Sequence, residues 1–388
     1  MTLKNIFSIS VTEIPQFAIT GKTASMIDKR LLKIFYDLIK IDALSGFEKP
    51  VADYIMNFLK CLDLSPFIEK HSSNCGSNTG NVICKLGNGG NYILLSHMDT
   101  ARSTKNVNPV VHNDRITSGG NTVLGVDNRA GIAAILFALE SAVTNKIPLN
   151  DFTVAFTVQE ETTLAGSKNL YLDKNINAGF IFDSHLRPGN FICESCGDAG
   201  FNLKIIGKAS HSGIAPEDGI SSIKIACGAI SEIELGRIDP DTTANIGIIK
   251  GGTAVNVVPE LTEIEGEVRS GNLDKVISKL NEIKSKFEKY ADQSGAKLEF
   301  SYKWDFKPYK IKPTSEVYRR IVSVLTAVGL DPNPKSSWGG SDANSLNEKG
   351  IESVNIGIGA ENPHSNEEFI LLDDLLKSSE IALELMKK

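Results

Sequence analysis

In the segment YILLSHMDT, residues 92–100, an apolar run stops at His97, and Asp99 follows two residues later. Residues two apart on an extended chain share a face, so an imidazole and a carboxylate emerge together past a buried strand. That pairing suits a metal ligand and the group that orients it; the competing reading is a strand closed by ordinary turn residues. Further candidates are Asp127 ahead of GIAAILFALE, Glu160 and Glu161 closing DFTVAFTVQEE, Asp183 in GFIFDSH, and His364 in ENPHSNEEF after the run IESVNIGIG. His97, Asp127, Glu161, Asp183 and His364 form a mixed nitrogen and oxygen donor set, which suits Zn, Mn or Co better than Ca or Mg. Five protein ligands exceed the three that one catalytic zinc takes, and a carboxylate shared by two ions resolves the excess. Asp127 is the expected bridge. Paired divalent ions can lower the pKa of a water from 15.7 towards about 7 and polarise a carbonyl, and Glu160 is the expected base for the released proton. Neighbours in a strand point to opposite faces, so Glu160 and Glu161 can share one site only if the chain is already turning there.

These residues need elements to position them. Four apolar strands separated by helices each run into His, Asp or Glu at or just past their C-terminal ends, where ligand sites of α/β sheets lie. Carboxylates gathered there repel one another and rise in pKa unless cations neutralise them. Asp127 falls at a helix start, where the helix dipole favours a carboxylate; a plain helix cap is the alternative. IDKRLLKIFYDLIKI and EKPVADYIMNFLKCL read as amphipathic helices, the second with Pro50 in its first turn, and NVICKL as a short strand. Residues 101–121 read as a polar loop. From 197 to 308 the rhythm changes to β-α-β-β-α-β, through AGFNLKIIGK, SSIKIACGAISEI, TANIGIIKGG, ELTEIEGEVRS, NLDKVISKLNEIKSKFEKYADQ and KLEFSYKWDF. That order describes a ferredoxin-like module. The expected fold is therefore α/β, a mixed, mostly parallel sheet flanked by helices, carrying an inserted ferredoxin-like α+β domain. The expected boundaries are an N-terminal extension over 1–25, a first domain over 26–196 and 309–388, and an insertion over 197–308.

A chain of 388 residues with 41% hydrophobic residues is too long for one compact core, which favours two domains. A net charge of −6 with no basic tract argues against nucleic acid or an anionic membrane as partner. GIAAILFALE is too short to span a bilayer, the N-terminus lacks an export pattern, and six scattered cysteines make no disulfide framework, so the expected location is the cytoplasm. Cys193 and Cys196 form a single C-x-x-C, read as idle thiols rather than a redox pair. The glycine pairs near Gly89, Gly119, Gly251 and Gly339 make no G-x-G-x-x-G and no phosphate loop, which argues against a nucleotide-dependent enzyme.

In order, SHMDT, GVDNRAG, TVQEETTLAG, FDSH, GKASHSG, GGTAVNVVP, GEVRS, GGSDAN and PHSNEE resemble the dinuclear zinc metallopeptidases of the aminoacylase/carboxypeptidase group. The resemblance is closest to the peptidase T-like, tripeptide aminopeptidase branch, and runs from about residue 27 to the C-terminus. It implies a dizinc exopeptidase acting on short peptides with a free carboxylate. His97 and Asp183 would hold one metal ion, Glu161 and His364 the other, and Asp127 would bridge them. Asp99 would orient His97, and Glu160 would be the general base. The inserted domain would act as lid and homodimer surface: His211 would reach the partner subunit's site to stabilise the oxyanion, Asn256 would contact substrate, and Arg269 would grip its carboxylate. Gly340 and Ser341, with Gly339 and Asp342, would approach the substrate. Read without the resemblance, Arg269 is a surface ion pair and His211 a structural histidine. A carboxypeptidase or N-acyl amino acid deacylase presents the same amide beside a free carboxylate; a non-catalytic binding protein on the same fold is disfavoured because every primary position is filled. Two departures from the family pattern are Asn128, where a second acid is usual, and Ser212. His71, His112 and His185 read as structural or solvent-facing.

Overall fold

Apolar positions at helical spacing form α1 (Lys29–Ile39) and α2 (Lys49–Cys61), whose buried faces include Leu31, Phe35, Ile39, Ile55 and Leu59. The computed structural model describes residues 29–388, so the expected extension over 1–25 lies outside the described residues. Contacts divide the chain into two units, one comprising residues up to 193 with 311–335 and 341–388, the other 194–310 with 336–340.

The first unit is built on a sheet of β1 (Phe67–Ile68), β2 (Val82–Leu86), β3 (Tyr92–His97), β4 (Phe152–Thr157), β5 (Ala178–Ser184), β6 (Asn190–Ser195) and β7 (Glu352–Gly357). Their spatial order is β1-β2-β4-β3-β5-β7-β6. The central run β4-β3-β5-β7 is parallel, and antiparallel pairings flank it. Every residue of β3 and β4 is buried, as strands covered on both faces by helices require. The crossover after β3 is α3 (Val126–Thr144), buried along most of its length and packed against α1 and the C-terminal helix Leu372–Met386. Parallel strands present their C-terminal ends at one edge, so the residues after β3, β4, β5 and β7 converge there.

Two details differ from the sequence reading. The polar loop over 101–121 contains a hairpin of strands Val110–His112 and Arg115–Thr117, the second of which pairs with Phe369–Leu371 in a separate small sheet. Their partner lies some 250 residues away, beyond the reach of local patterning. The strand expected to end at Glu161 ends at Thr157 instead.

In the second unit, strands Gly197–Ile206, Thr242–Gly251, Leu261–Ser270 and Lys297–Phe306 form an antiparallel sheet, with an additional edge strand, Gly236–Asp239. Helices Ser222–Ile230 and Leu273–Ser294 cover it, closing a core of Phe201, Leu203, Ile264, Val268, Ile283 and Phe287. Asn272 accepts from the Asp274 N–H as the cap of the longer helix.

Candidate metal centre

His97 is the last residue of β3, and Asp183 lies near the end of the parallel neighbour β5. Asp127 sits in the first turn of α3, where Asp127 and Asn128 depart from helical geometry and their shared peptide bond is cis. After β4, Gln159 takes a left-handed conformation (φ 51°) and Glu160 opens the short helix Glu160–Thr163. This corrects the extended reading of Glu160 and Glu161. A helical turn lets both neighbours reach one side, which a strand forbids.

Two clusters result. His97 Nε2 lies 3.0 Å from Asp127 Oδ1 and 3.0 Å from Asp183 Oδ1. His364 Nε2 lies 3.3 Å from Asp127 Oδ2 and 3.1 Å from Glu161 Oε2. Each carboxylate oxygen of Asp127 thus faces a different imidazole. Donors bound tetrahedrally to one zinc at 2.0–2.1 Å lie roughly 3.4 Å apart, so either triad fits one ion after small outward shifts. The donor set passes the chemical test as well, with one neutral nitrogen and two anionic oxygens per position. The His97 ring directs Nδ1 at the Asp99 backbone carbonyl, 3.1 Å away, and at Asp99 Oδ1, 3.3 Å away. With a proton held on Nδ1, an ion placed between the two carboxylates would take the place of the proton on Nε2.

Asp99 does more than face His97. Its Oδ1 accepts the Glu160 N–H at 3.1 Å, and its Oδ2 accepts the Glu161 N–H at 3.1 Å and the Ser45 hydroxyl at 2.6 Å. Burial opposes ionisation of Asp99, but His97, Ser45 and the Glu160 N–H hold its carboxyl below the usual range. Glu48, fully buried, accepts the Gly46 N–H at 2.8 Å and the Gln159 N–H at 2.9 Å, bracing the turn that leads into Glu160. Glu160 itself comes within 3.9 Å of His97 Nε2.

The electrostatics are those of an acidic pocket in need of cations. Burial, then Asp183, pushes Glu160 well above the usual carboxylate range, and burial, then Asp127, lifts Glu161 to about 7. Burial pulls His97 down, yet the charges of Glu160 and Asp183 prevail and raise it well above 6.5. The hydrogen bonds that the His364 ring donates to Asp127 and Glu161 raise it to about 10. Behind the pocket, the fully buried Arg129 donates to the Met98 and Ile41 carbonyls; burial lowers its pKa to about 10 against the pull of Asp99.

Asn355 and Glu368 carried no signal as site residues in the sequence, while Asn128 and Asp342 were marked only through the family resemblance and in other roles. Asn128 donates to Asp183 Oδ1 at 3.1 Å and to the Phe182 carbonyl at 2.7 Å, so the amide that departs from the family pattern steadies a ligand. Asn355 on β7 donates to Asp183 Oδ2 at 3.2 Å. Asp342, buried and raised to about 6 by desolvation, accepts from the Thr157 hydroxyl at the end of β4. Glu368 accepts the backbone N–H of Gly125 and of Asp127.

The remaining expected site residues do not join these clusters. Ser341, in the first unit, is buried and spends its hydroxyl on the Ala343 N–H as a helix cap. In the second unit His211 and Asn256 are exposed neighbours: His211 bridges Val257, and the Ser212 N–H donates to the Asn256 carbonyl at 3.0 Å. Arg269 is engaged, with Nε and Nη2 forked onto Glu267, Nη2 also 2.9 Å from Asp198, and Nη1 donating to the Trp338 carbonyl. A substrate carboxylate would have to share or displace these partners. A Cβ on Gly340 would come within 2.6 Å of the Phe306 ring, so a larger residue there would have to displace that ring. Burial pushes the Cys196 thiol up to about 11, the opposite of a redox thiol. His71 stacks on Tyr171, and neither it nor His112 or His185 belongs to a metal-competent group among the described residues. No described helix is long and apolar enough to cross a membrane.

Residues 193–295 match the family model of the peptidase dimerisation domain of the M20 type, and residues 103–193 match that of the M42 glutamyl aminopeptidases. The uncharacterized protein YqjE of Bacillus subtilis is 32% identical, with 93% of this chain and 98% of that protein covered. The crystal structure of aminopeptidase PepT from Bacillus cereus superimposes with a TM-score of 0.85 at 32% identity, covering 93% of this chain and 98% of that one. A tripeptidase structure from Staphylococcus aureus gives a TM-score of 0.87 at 32% identity, with the same 93% and 98% coverage.

Proposed function

The chain belongs to the M20 family of dinuclear metallopeptidases, and from that premise we propose that it removes residues from short peptides as a tripeptide aminopeptidase-like exopeptidase. The observation that carries this reading is the division of Asp127, one oxygen towards His97 and Asp183 and the other towards Glu161 and His364. His97, Asp127 and Asp183 would hold one ion, and Asp127, Glu161 and His364 the other. Zinc is the proposed metal, with manganese or cobalt as substitutes of like preference. When bound, such a pair acidifies water and polarises the scissile carbonyl.

The chain's own groups do the rest. Glu160 takes a proton from the attacking water and returns it to the leaving amine, a role supported by its burial and by the raised affinity of its carboxylate for protons. Asp99 and Glu48 hold the backbone that carries Glu160. His211, Asn256 and Arg269 are the proposed substrate residues, and the 197–308 module the homodimer surface, which the dimerisation-domain match supports. A cytoplasmic location is proposed on the same footing.

The test is elemental analysis of gently purified protein together with hydrolysis of a free tripeptide, its N-acetylated form and its C-terminal amide. Two ions per chain and cleavage of the free tripeptide alone are expected. Cleavage of the N-acetylated peptide would move the deacylase or carboxypeptidase reading ahead, and no metal with no cleavage after adding Zn, Mn or Co would overturn catalysis.

A further inference from the structure

Glu368 is 1% exposed and grips the bridging aspartate by its backbone: Oε2 accepts the Gly125 N–H at 2.6 Å and Oε1 the Asp127 N–H at 3.1 Å. The same loop delivers His364 four residues earlier. That loop is closed on itself, since Glu361 and Phe369 exchange both backbone hydrogen bonds at 3.0 Å, and His364 stands on it half exposed with φ 62°. Its further ties include the Arg102 guanidinium, which donates to the His364 carbonyl at 3.2 Å, and the Ser118 hydroxyl, which donates to the Asn366 carbonyl at 3.3 Å. His97 and Asp183 depend on none of this, because they ride on β3 and β5 in the middle of the parallel sheet.

We propose that Glu368 is a positioning residue that acts mainly on the ion site formed by Asp127, Glu161 and His364, because it rests the His364 loop on the Asp127 turn at the spacing a shared carboxylate needs, whereas the other site shares only Asp127 with it. The proposal builds on the two-ion reading. A glutamine at this position has one acceptor oxygen for two N–H donors, and its own NH2 faces the other donor, so the loop and the turn part. Groups of this kind behind a metal site change affinity by roughly 10–100-fold.

The experiment is zinc titration of the chelator-stripped full chain at pH 8 against a chromophoric chelator, for wild type, E368Q, H364A, H97A and the doubles E368Q/H364A and E368Q/H97A. E368Q should weaken one of two binding steps by roughly 10–100-fold and the other, which shares only Asp127 with the loop, by a clearly smaller factor. Combined with H364A it should add only that smaller factor at the remaining site, whereas combined with H97A it should weaken the remaining site as much as in wild type. R102A, a surface change that frees the same loop, should weaken the same step by a smaller factor and serves if E368Q does not fold. Equal weakening of both steps, unchanged affinities, or a loss on top of H364A as large as that on top of H97A would overturn the proposal. A wild-type chain that binds fewer than two ions would instead refute the two-ion reading on which it stands.

Discussion

Asp99→Asn separates two jobs that a single carboxylate could do. Asp99 is fully buried and meets four groups: His97 Nδ1, the Ser45 hydroxyl and the N–H groups of Glu160 and Glu161. Asparagine keeps one oxygen and presents an NH2 in place of the other. The Ser45 hydroxyl can rotate and accept from that NH2; a backbone N–H cannot. One of the two N–H groups is therefore left buried without an acceptor, at about 1–3 kcal/mol. His97 loses less, since its nearest partner is the Asp99 backbone carbonyl at 3.1 Å, which the substitution leaves in place. The variant should thus unfold at lower urea, by about 1–3 kcal/mol in the metal-free state. A shift of the Glu160 turn by about 1 Å should cut turnover on the order of 10²-fold, with ion binding at His97 and Asp183 retained. Urea denaturation, metal titration and tripeptide turnover read the three effects apart. Unchanged stability and turnover would refute the bracing role. Collapse of binding at His97 with normal turnover per bound ion would assign the carboxylate to the imidazole instead.

Glu160→Gln should lower turnover by roughly 10²–10⁴-fold with metal content unchanged; loss of metal on elemental analysis would exchange the roles of base and ligand. His211→Ala should reduce activity while sedimentation still reports a dimer, and mixing it with the Glu160→Gln variant should restore turnover in verified heterodimers if the histidine serves the partner subunit. Absence of complementation would assign His211 to its own subunit or to no catalytic role. Removing the ions should make stability pH-dependent. Burial lifts Glu368 from 4.5 to about 7 and Glu161 to about 7, so the folded chain keeps protons there that the unfolded chain has released. Their contribution is fully present below about pH 4.5 and is lost as pH rises through about 7, a difference of about 3 kcal/mol for Glu368. The metal-free urea midpoint should therefore fall between pH 5 and pH 8 and recover with excess zinc; a midpoint that rises over this interval would refute the assignment.

The chemistry of the pocket was legible because it is written in residue types at strand ends. His97 and Asp183 end apolar runs, Asp127 opens a helix, and any parallel sheet gathers such ends at one edge, whichever loops follow. The α/β class and the ferredoxin-like insertion were legible for a similar reason, since strand and helix periods are local properties of the chain. The Glu160 turn was misread because the left-handed Gln159 that starts it has no side-chain signature distinguishing it from a strand residue. The second small sheet was missed because its strands are three residues long and depend on a distant partner.

Sequence alone therefore determined which donors exist and which edge they occupy. Tertiary structure decided how they divide. The division of donors around Asp127 rests on Glu368 at the turn over 125–127, on Asn128 beside Asp183 and on the Glu48-braced turn into Glu160 and Glu161, contacts spanning up to 243 positions along the chain. Arg269 likewise stands opposite Asp198 only through strand register. Hydrogen bonds to backbone groups carry no periodicity and little residue preference, so the side chains that aim a ligand become visible only once the chain has brought them together.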